Sequence, residues 1–256
     1  MKTIWIKILA LTAGAVMYSH AVFGIGAQWA PAPNLEVAPQ NMVVAVSPTD
    51  ANRTFALDQK GVSGLQGFGI KLWLDFFPFI DLDASSNFQY GYYDLDVLVD
   101  GVRTPVQAKV SMPFVASKPV FTRFVSDASI LYPFFKLPPA ATMLKLYVGG
   151  GLTHTIATEI VTGGLATKAL QKAEASGAFD PAVDGGDKAA PLIVHEFYSQ
   201  AFKRGMGFHL MTGAKMKFPV IPVALYANAK YHILMTMPAL ADANSVTFEL
   251  GAALAL

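Results

Sequence analysis

Apolar and polar positions alternate strictly along much of this chain, in segments that recur from one end to the other. In FGIKLWLDFFPFIDLDASSNFQY (68–90), Phe68, Ile70, Leu72, Leu74 and Phe76 share one side of an extended strand, against Lys71, Trp73 and Asp75. Beyond an aromatic–proline knot, Ile80, Leu82, Ala84, Ser86, Phe88, Tyr90 and Tyr92 oppose Asp81, Asp83, Ser85, Asn87 and Gln89. A period of two over this length predicts a hairpin of two long strands, and Pro78, which cannot donate to a ladder, marks its turn. The same alternation predicts strands over 22–30, 119–132, 142–155, 203–218, 223–234 and 245–256, which brings the count to eight.

The connections sort by length. Segments 77–79, 133–139 and 219–222 are minimal and rich in Pro and aromatics, whereas 30–64, 94–119, 156–200 and 235–244 are longer and more polar. Short and long alternate, so all short turns fall at one end of an up-and-down sheet and all long loops at the other. Three long segments carry local signals. Residues 30–64 gather Pro, Asn, Asp and Ser and read as loop. Asp100-Gly101 between apolar runs is a type I′ hairpin signature, read as an extension of the 68–90 hairpin past the main sheet. Residues 156–175 have some helical spacing (Ile160, Leu165, Leu170) broken by Gly163-Gly164, and DPAVDGGDK after it reads as plain loop. A ten-strand variant follows if 102–112 and part of 34–47 pair as full strands.

Alternation does not say which face points inward, but volume does. An eight-stranded barrel encloses a space that side chains just fill. The apolar face carries about five to seven large side chains on most strands, more than such an interior holds at native packing density. The polar face repeats glycine (Gly67, Gly69, Gly91, Gly149, Gly151, Gly207, Gly213, Gly251), as a crowded lumen requires. The apolar face therefore looks outward, and an outward apolar band of this extent requires lipid. The expected fold is all-β: a closed antiparallel transmembrane barrel of eight strands, with short periplasmic turns and long extracellular loops.

Composition agrees with this and narrows the setting. Hydrophobic residues make up 53% of the 256 and charged residues 14%, against about 25% charge in a typical soluble domain. Outside the N-terminus there is no uninterrupted apolar run long enough for a helical span. MKTIWIKILALTAGAVMYSHA has a basic start (Lys2, Lys7), an apolar core (Ile8 to Met17) and a small-x-small site at Ser19-His20-Ala21, the pattern of a secretory signal peptide cleaved after Ala21. The barrel domain is then 22–256, and the loss of two lysines takes the formal charge from +1 to −1, with no bulk basicity for nucleic acid. There is no cysteine, which excludes a disulfide scaffold and a thiol nucleophile.

Aromatics cluster at strand ends. Phe76, Phe77, Phe79, Tyr132, Phe134, Phe135 and Phe218 lie at or beside the short turns, and Trp29, Tyr90, Tyr92 and Phe121 lie toward the long loops, as two interfacial girdles would. Trp73 departs from this scheme, since its parity points inward. Hairpin arithmetic pairs the lumen charges. Asp127 falls opposite Lys145 with Arg123 further along, His209 opposite His232, and Lys230 approaches Glu249. Lys71 reaches Asp83 diagonally, whereas Asp75 and Asp81 face each other and need a cation. With Lys215 and Lys217 these groups form an ion-pair network that obstructs the channel, because an unpaired charge there is costly.

Catalytic and metal chemistry find weak support. His209 and His232 lack a third metal ligand, and Asp180, Asp184 and Asp187 have the wrong spacing for a calcium loop. His154 beside Thr153 and Thr155, or His195 with Ser199, shows no triad spacing. No enzyme activity, cofactor or metal is expected.

With a cleaved signal, eight amphipathic strands, sorted connections and a final strand alternating through Phe248, Leu250, Ala252, Leu254 and Leu256, the chain resembles the small outer-membrane barrels of the OmpW/OmpX/OmpA-transmembrane class. The resemblance is architectural and covers the mature chain. It implies the outer membrane of a Gram-negative bacterium, surrounding lipids as first partners, and the barrel-assembly machinery during insertion. It further implies either a structural or surface-contact role through the long loops or porin-like passage of small, hydrophobic cargo. A soluble periplasmic ligand-binding barrel and a lipid-modifying enzyme are the alternatives.

Overall fold

The computed structural model describes residues 23–37, 39–44, 53–75, 79–106, 118–137, 143–158, 161–199, 202–218, 221–235 and 244–255. The predicted signal peptide lies outside them, as do Phe76 and Phe77 of the expected girdle.

In chain order the strands are β1 (Phe23–Trp29), β2 (Ala32–Val37), β3 (Gln40–Val44), β4 (Phe55–Gln59), β5 (Val62–Leu74), β6 (Asp81–Tyr92), β7 (Leu95–Val99), β8 (Val102–Pro105), β9 (Val120–Lys136) and β10 (Met143–Thr158). Helices α1 (Gly163–Ala175) and α2 (Gly186–Ser199) follow, then β11 (Phe202–Lys217), β12 (Val223–Leu234) and β13 (Ser245–Ala255). Eight strands, β1, β5, β6, β9, β10, β11, β12 and β13, form an antiparallel barrel that closes because β1 pairs with both β13 and β5, and β2 joins the same sheet as a ninth strand paired with β5. The barrel has eight strands and not ten.

The registers fix its shape. Gly24 lies opposite Trp73, and the row continues through Asp83, Ser129, Gly151, His209 and His232 to Ser245. The β13–β1 register carries Ser245 to position 34, ten residues along from Gly24. A stagger of ten on eight strands tilts them roughly 40° from the axis and leaves an interior that side chains fill.

Faces alternate as volume requires. On β5, Phe68 and Ile70 are 60% and 57% exposed while Lys71 and Trp73 are 0% and 1%. Three large inward aromatics each sit across the ladder from a glycine: Trp73 from Gly24, Tyr147 from Gly213 and Tyr226 from Gly251. A Cβ at any of these glycines would run into the facing ring, so the missing side chain makes room for the aromatic.

The long-loop end is not loop. β3, β4, β7 and β8 form a separate four-stranded sheet, and α1 and α2 pack on it. Thr162 caps α1 by accepting from the Leu165 N–H, so Gly163-Gly164 opens the helix where the sequence pattern put a break. Buried side chains of both helices (Leu165, Leu170, Ile193, Phe197) join Leu57 and Phe55 of β4 and Val97 of β7 in one core, which continues down onto Leu65, Phe121 and Ala157 at the top of the barrel.

Several expectations change here. Residues 30–64 hold β2, β3 and β4 as well as the start of β5, because Met42, Val44, Phe55 and Leu57 form short strands that the surrounding polar residues conceal. The Asp100-Gly101 turn has the expected positive φ at both residues, 51° and 81°. Its hairpin belongs to the outer sheet, pairing with β4, and does not extend β5–β6. β9 runs on to Lys136, so Pro133, Phe134 and Phe135 lie in strand, with a register shift at Leu146/Tyr147 absorbing the extra residue.

Candidate functional site: the barrel interior

Among the described residues, six cations and five carboxylates project into the lumen: Lys71, Arg123, Lys145, Lys215, Lys217 and Lys230, with Asp75, Asp81, Asp83, Asp127 and Glu249. They sort into tiers along the axis, each set by strand parity and the stagger.

At the short-turn end Asp75 is gripped by Lys217 at 2.5 Å, Lys215 at 2.9 Å and Lys145 at 3.2 Å, and Lys145 also reaches Asp81 at 3.1 Å. The cation that the facing Asp75 and Asp81 require is thus a set of lysines from β10 and β11. Above this tier Trp73 packs edge-on against Tyr226, with Lys215 4.5 Å from the Trp73 ring and Lys71 5.1 Å from the Tyr226 ring.

The middle tier centres on Glu249. Its carboxylate accepts from Ser85, Asn87 and Asn228 and pairs with Lys230 at 2.8 Å. Lys71 bridges Asp83 at 2.6 Å, diagonally across the ladder, and approaches Glu249 at 3.7 Å. Lys230 also binds Asp127 at 3.1 Å and so links to the third tier. There, the His232 Nε2 lies 3.2 Å from Asp127, and Thr153 donates to Asp127 at 2.8 Å. His209 sits between Ser129 (2.8 Å from Nε2) and Thr153 (2.9 Å from Nδ1). Arg123 closes the top, donating to Ser245 at 2.8 Å beneath the apolar core of the outer sheet.

All thirteen residues expected in the lumen project inward, but one predicted register is off. Asp127 lies opposite Thr153 and not Lys145, because β9 extends further before turning. The expected approach of Lys230 to Glu249 forms as a diagonal contact, with Glu249 opposite Asn228 and Lys230 opposite Thr247. His209 and His232 are register partners, with ring centroids 5.8 Å apart. The neutral members Ser85, Asn87, Asn228, Ser129, Thr153 and Gln28 escaped the charge-pairing arithmetic; their parity is the signal that finds them.

The connectivity Ser129–His209–Asp127 resembles a nucleophile relay, with His209 Nδ1 3.5 Å from Asp127. All three are at most 4% exposed, so no substrate carbonyl reaches Ser129, and Lys230 already occupies Asp127. His154, on the same strand as Thr153, faces outward, and His195 lies on α2 outside the barrel.

The outward aromatics follow the girdle pattern with one exception. Trp29, Phe79, Tyr92, Tyr132, Phe134 and Phe135 are exposed; Tyr90 and Phe218 are half-buried. Phe121 is fully buried beneath the outer sheet, because it shares the inward parity of Arg123.

No protein-family model matches this sequence, and no curated protein does. Among solved structures the chain is similar to the outer membrane protein OprG from Pseudomonas aeruginosa (10% identity, 91% of this chain and 94% of that one, TM-score 0.43). It is also similar to Neisserial surface protein A (14%, 91% and 97%, TM-score 0.40) and to Ail, the attachment invasion locus protein of Yersinia pestis (10%, 91% and 95%, TM-score 0.35). The closed barrel itself defines the class: an eight-stranded antiparallel transmembrane β-barrel, apolar outside and polar within.

Proposed function

We propose that this protein is a membrane-anchored surface barrel of a diderm outer membrane, with a lumen closed by its own ion pairs and external work done by the folded cap above it. The observation that supports this reading is the interior, where every carboxylate contacts at least one lysine within 3.1 Å and Trp73 and Tyr226 fill the space between tiers. A water-filled pore needs room that these side chains occupy. The cap adds a second closure over the outer mouth. Lipid surrounds the apolar wall, and the barrel-assembly machinery is the expected route of insertion for a barrel exported by its N-terminal signal.

Planar bilayer recording tests it. Purified protein should show no steady ion conductance; open-channel currents in the wild type would replace this reading with porin-like passage. A chain that remains monomeric and soluble without detergent would establish the soluble ligand-binding barrel instead.

A further inference from the structure

The lipid-facing wall carries an anomaly. Ser86 on β6, Ser126 on β9 and His154 on β10 occupy one register row and all face outward. Apolar outward positions flank them on both sides: Phe88, Phe124 and Ile156 toward the cap, and Ala84, Ala128 and Leu152 toward the short turns. Ser86 and Ser126 hydrogen-bond each other at 3.2 Å, and His154 has no side-chain partner among the described residues. Hydroxyls and imidazoles set into hydrocarbon are costly unless something hydrogen-bonds them.

Directly below this row the wall is hollow. Ala84 and Ala128 face each other across β6 and β9, and with Leu72, Leu82, Ile130 and Leu152 they line an outward trough of about 550 Å³. A second trough on the other wall, around Ala214, Ala227 and Ala229, lacks such a row; its one hydroxyl, Thr212, donates to the Tyr147 carbonyl of its own wall.

We propose that the β6–β9–β10 wall is the interface of a parallel homodimer. This rests on the chain spanning a membrane. Both copies then carry the cap on the same side, and their two-fold axis runs along the membrane normal. Each residue therefore meets residues of its own depth. Acyl chains offer these side chains no hydrogen bonds, whereas a second copy brings its own Ser126 to the first at the two-fold axis, with Ser86 and His154 on either side. The Ala84/Ala128 hollow lets the walls approach, and the Leu72–Leu82 and Ile130–Leu152 ridges of the partner fill it. Small residues permitting close approach, joined to polar residues that hydrogen-bond across, are the general solution for association within lipid.

The chain has no native cysteine, so single thiols report this wall cleanly. Ser126→Cys and Ala227→Cys proteins, reconstituted in phosphatidylethanolamine/phosphatidylglycerol vesicles at low protein density and oxidised, should differ. Ser126→Cys should give disulfide dimer at several-fold the yield of Ala227→Cys, because only position 126 meets its own copy across the two-fold axis. Adding Ala128→Trp should return Ser126→Cys to the Ala227→Cys level while heat-modifiable gel migration shows the barrel intact. Equal yields from the two single variants overturn the proposal. So does a monomeric protein that retains a tightly bound acyl lipid in native mass spectrometry until Ala128→Trp removes it, since the trough is then a lipid seat. Failure to enter vesicles at all would instead overturn the membrane reading on which the proposal rests.

Discussion

The barrel and its cap are built from the same kind of strand and solve opposite problems. On β5, Phe68, Ile70 and Leu72 face outward while Lys71 and Trp73 are sealed inside. On β7, Leu95, Val97 and Val99 are buried, with Asp96 and Leu98 half-exposed between them. Both read as apolar–polar alternation. The cap is an ordinary water-facing module with its oil inside, and the barrel inverts it, keeping charge inside and oil outside. Alternation therefore specifies a strand with two faces, and the environment of the assembled sheet decides which face is buried.

The barrel should break most severely from within. Asp127→Ala leaves Lys230 and His232 facing each other without their shared acceptor, and removing one partner of a buried pair costs about 3–5 kcal/mol. Urea unfolding in vesicles, read by the heat-modifiable gel shift, should show that loss. Replacing Lys71 and Asp83 together by Met and Leu should cost far less, since a buried pair exchanged for apolar packing is often close to neutral. A small effect for Asp127→Ala would mean that water reaches the tier and the lumen is not closed.

Ile70 is 57% exposed on the barrel wall and Val102 is 68% exposed on the cap. Ile70→Arg should destabilise the inserted protein by about 2–4 kcal/mol, as a charge placed toward the bilayer midplane does. Val102→Arg should stay within about 0.5 kcal/mol, as substitutions in water usually do. Denaturation in vesicles measures both, and similar costs would mean that the wall at Ile70 does not meet lipid.

The smallest effect separates the two regions by pH. Outside the membrane, hydrogen bonds from Arg53 to Asp100, from Lys188 to Asp184 and from Lys118 to Asp94 hold these carboxyls below the ordinary carboxylate range. A lowered folded-state pKa stabilises above the unfolded value of about 3.9 and is lost as pH falls through the folded one. Amide protection around Asp100, taken relative to the intrinsic exchange rate at each pH, should therefore fall slightly below about pH 4 and show no such change between pH 5 and 8. Arg53→Ala should shrink the pH step at that turn to the part that the Thr54 N–H bond to Asp100 sustains, while leaving protection in the barrel strands untouched.

Much of the barrel is legible in the sequence. Eight strands, the sorted turns, the outward apolar face and the inward parity of Trp73 follow from alternation and volume. The Lys71–Asp83 diagonal and the His209/His232 pairing follow from hairpin counting, because β5–β6 and β11–β12 turn where proline and aromatics say they do. Counting fails at Asp127, where β9 carries PFFK inside the strand and a bulge resets the register. It also misplaces Phe121, whose closeness to a strand end suggests the girdle although its parity matches Arg123.

The cap is the larger omission. Short strands such as QNMVV and FALDQ have too few residues to show a period, and α2 carries Pro191 within its span. Their apolar side chains gain a core only when four strands and two helices distant in sequence come together. Alternation is local and set by the geometry of an extended chain, so the residues alone dictate the strands and their two faces, while the volume an eight-stranded barrel encloses assigns the apolar face outward. Which carboxylate meets which lysine, and whether the loops fold into a lid, depend on stagger and on contacts across the closed sheet. No local pattern encodes those pairings, and they are settled only when the barrel closes and the cap assembles over it.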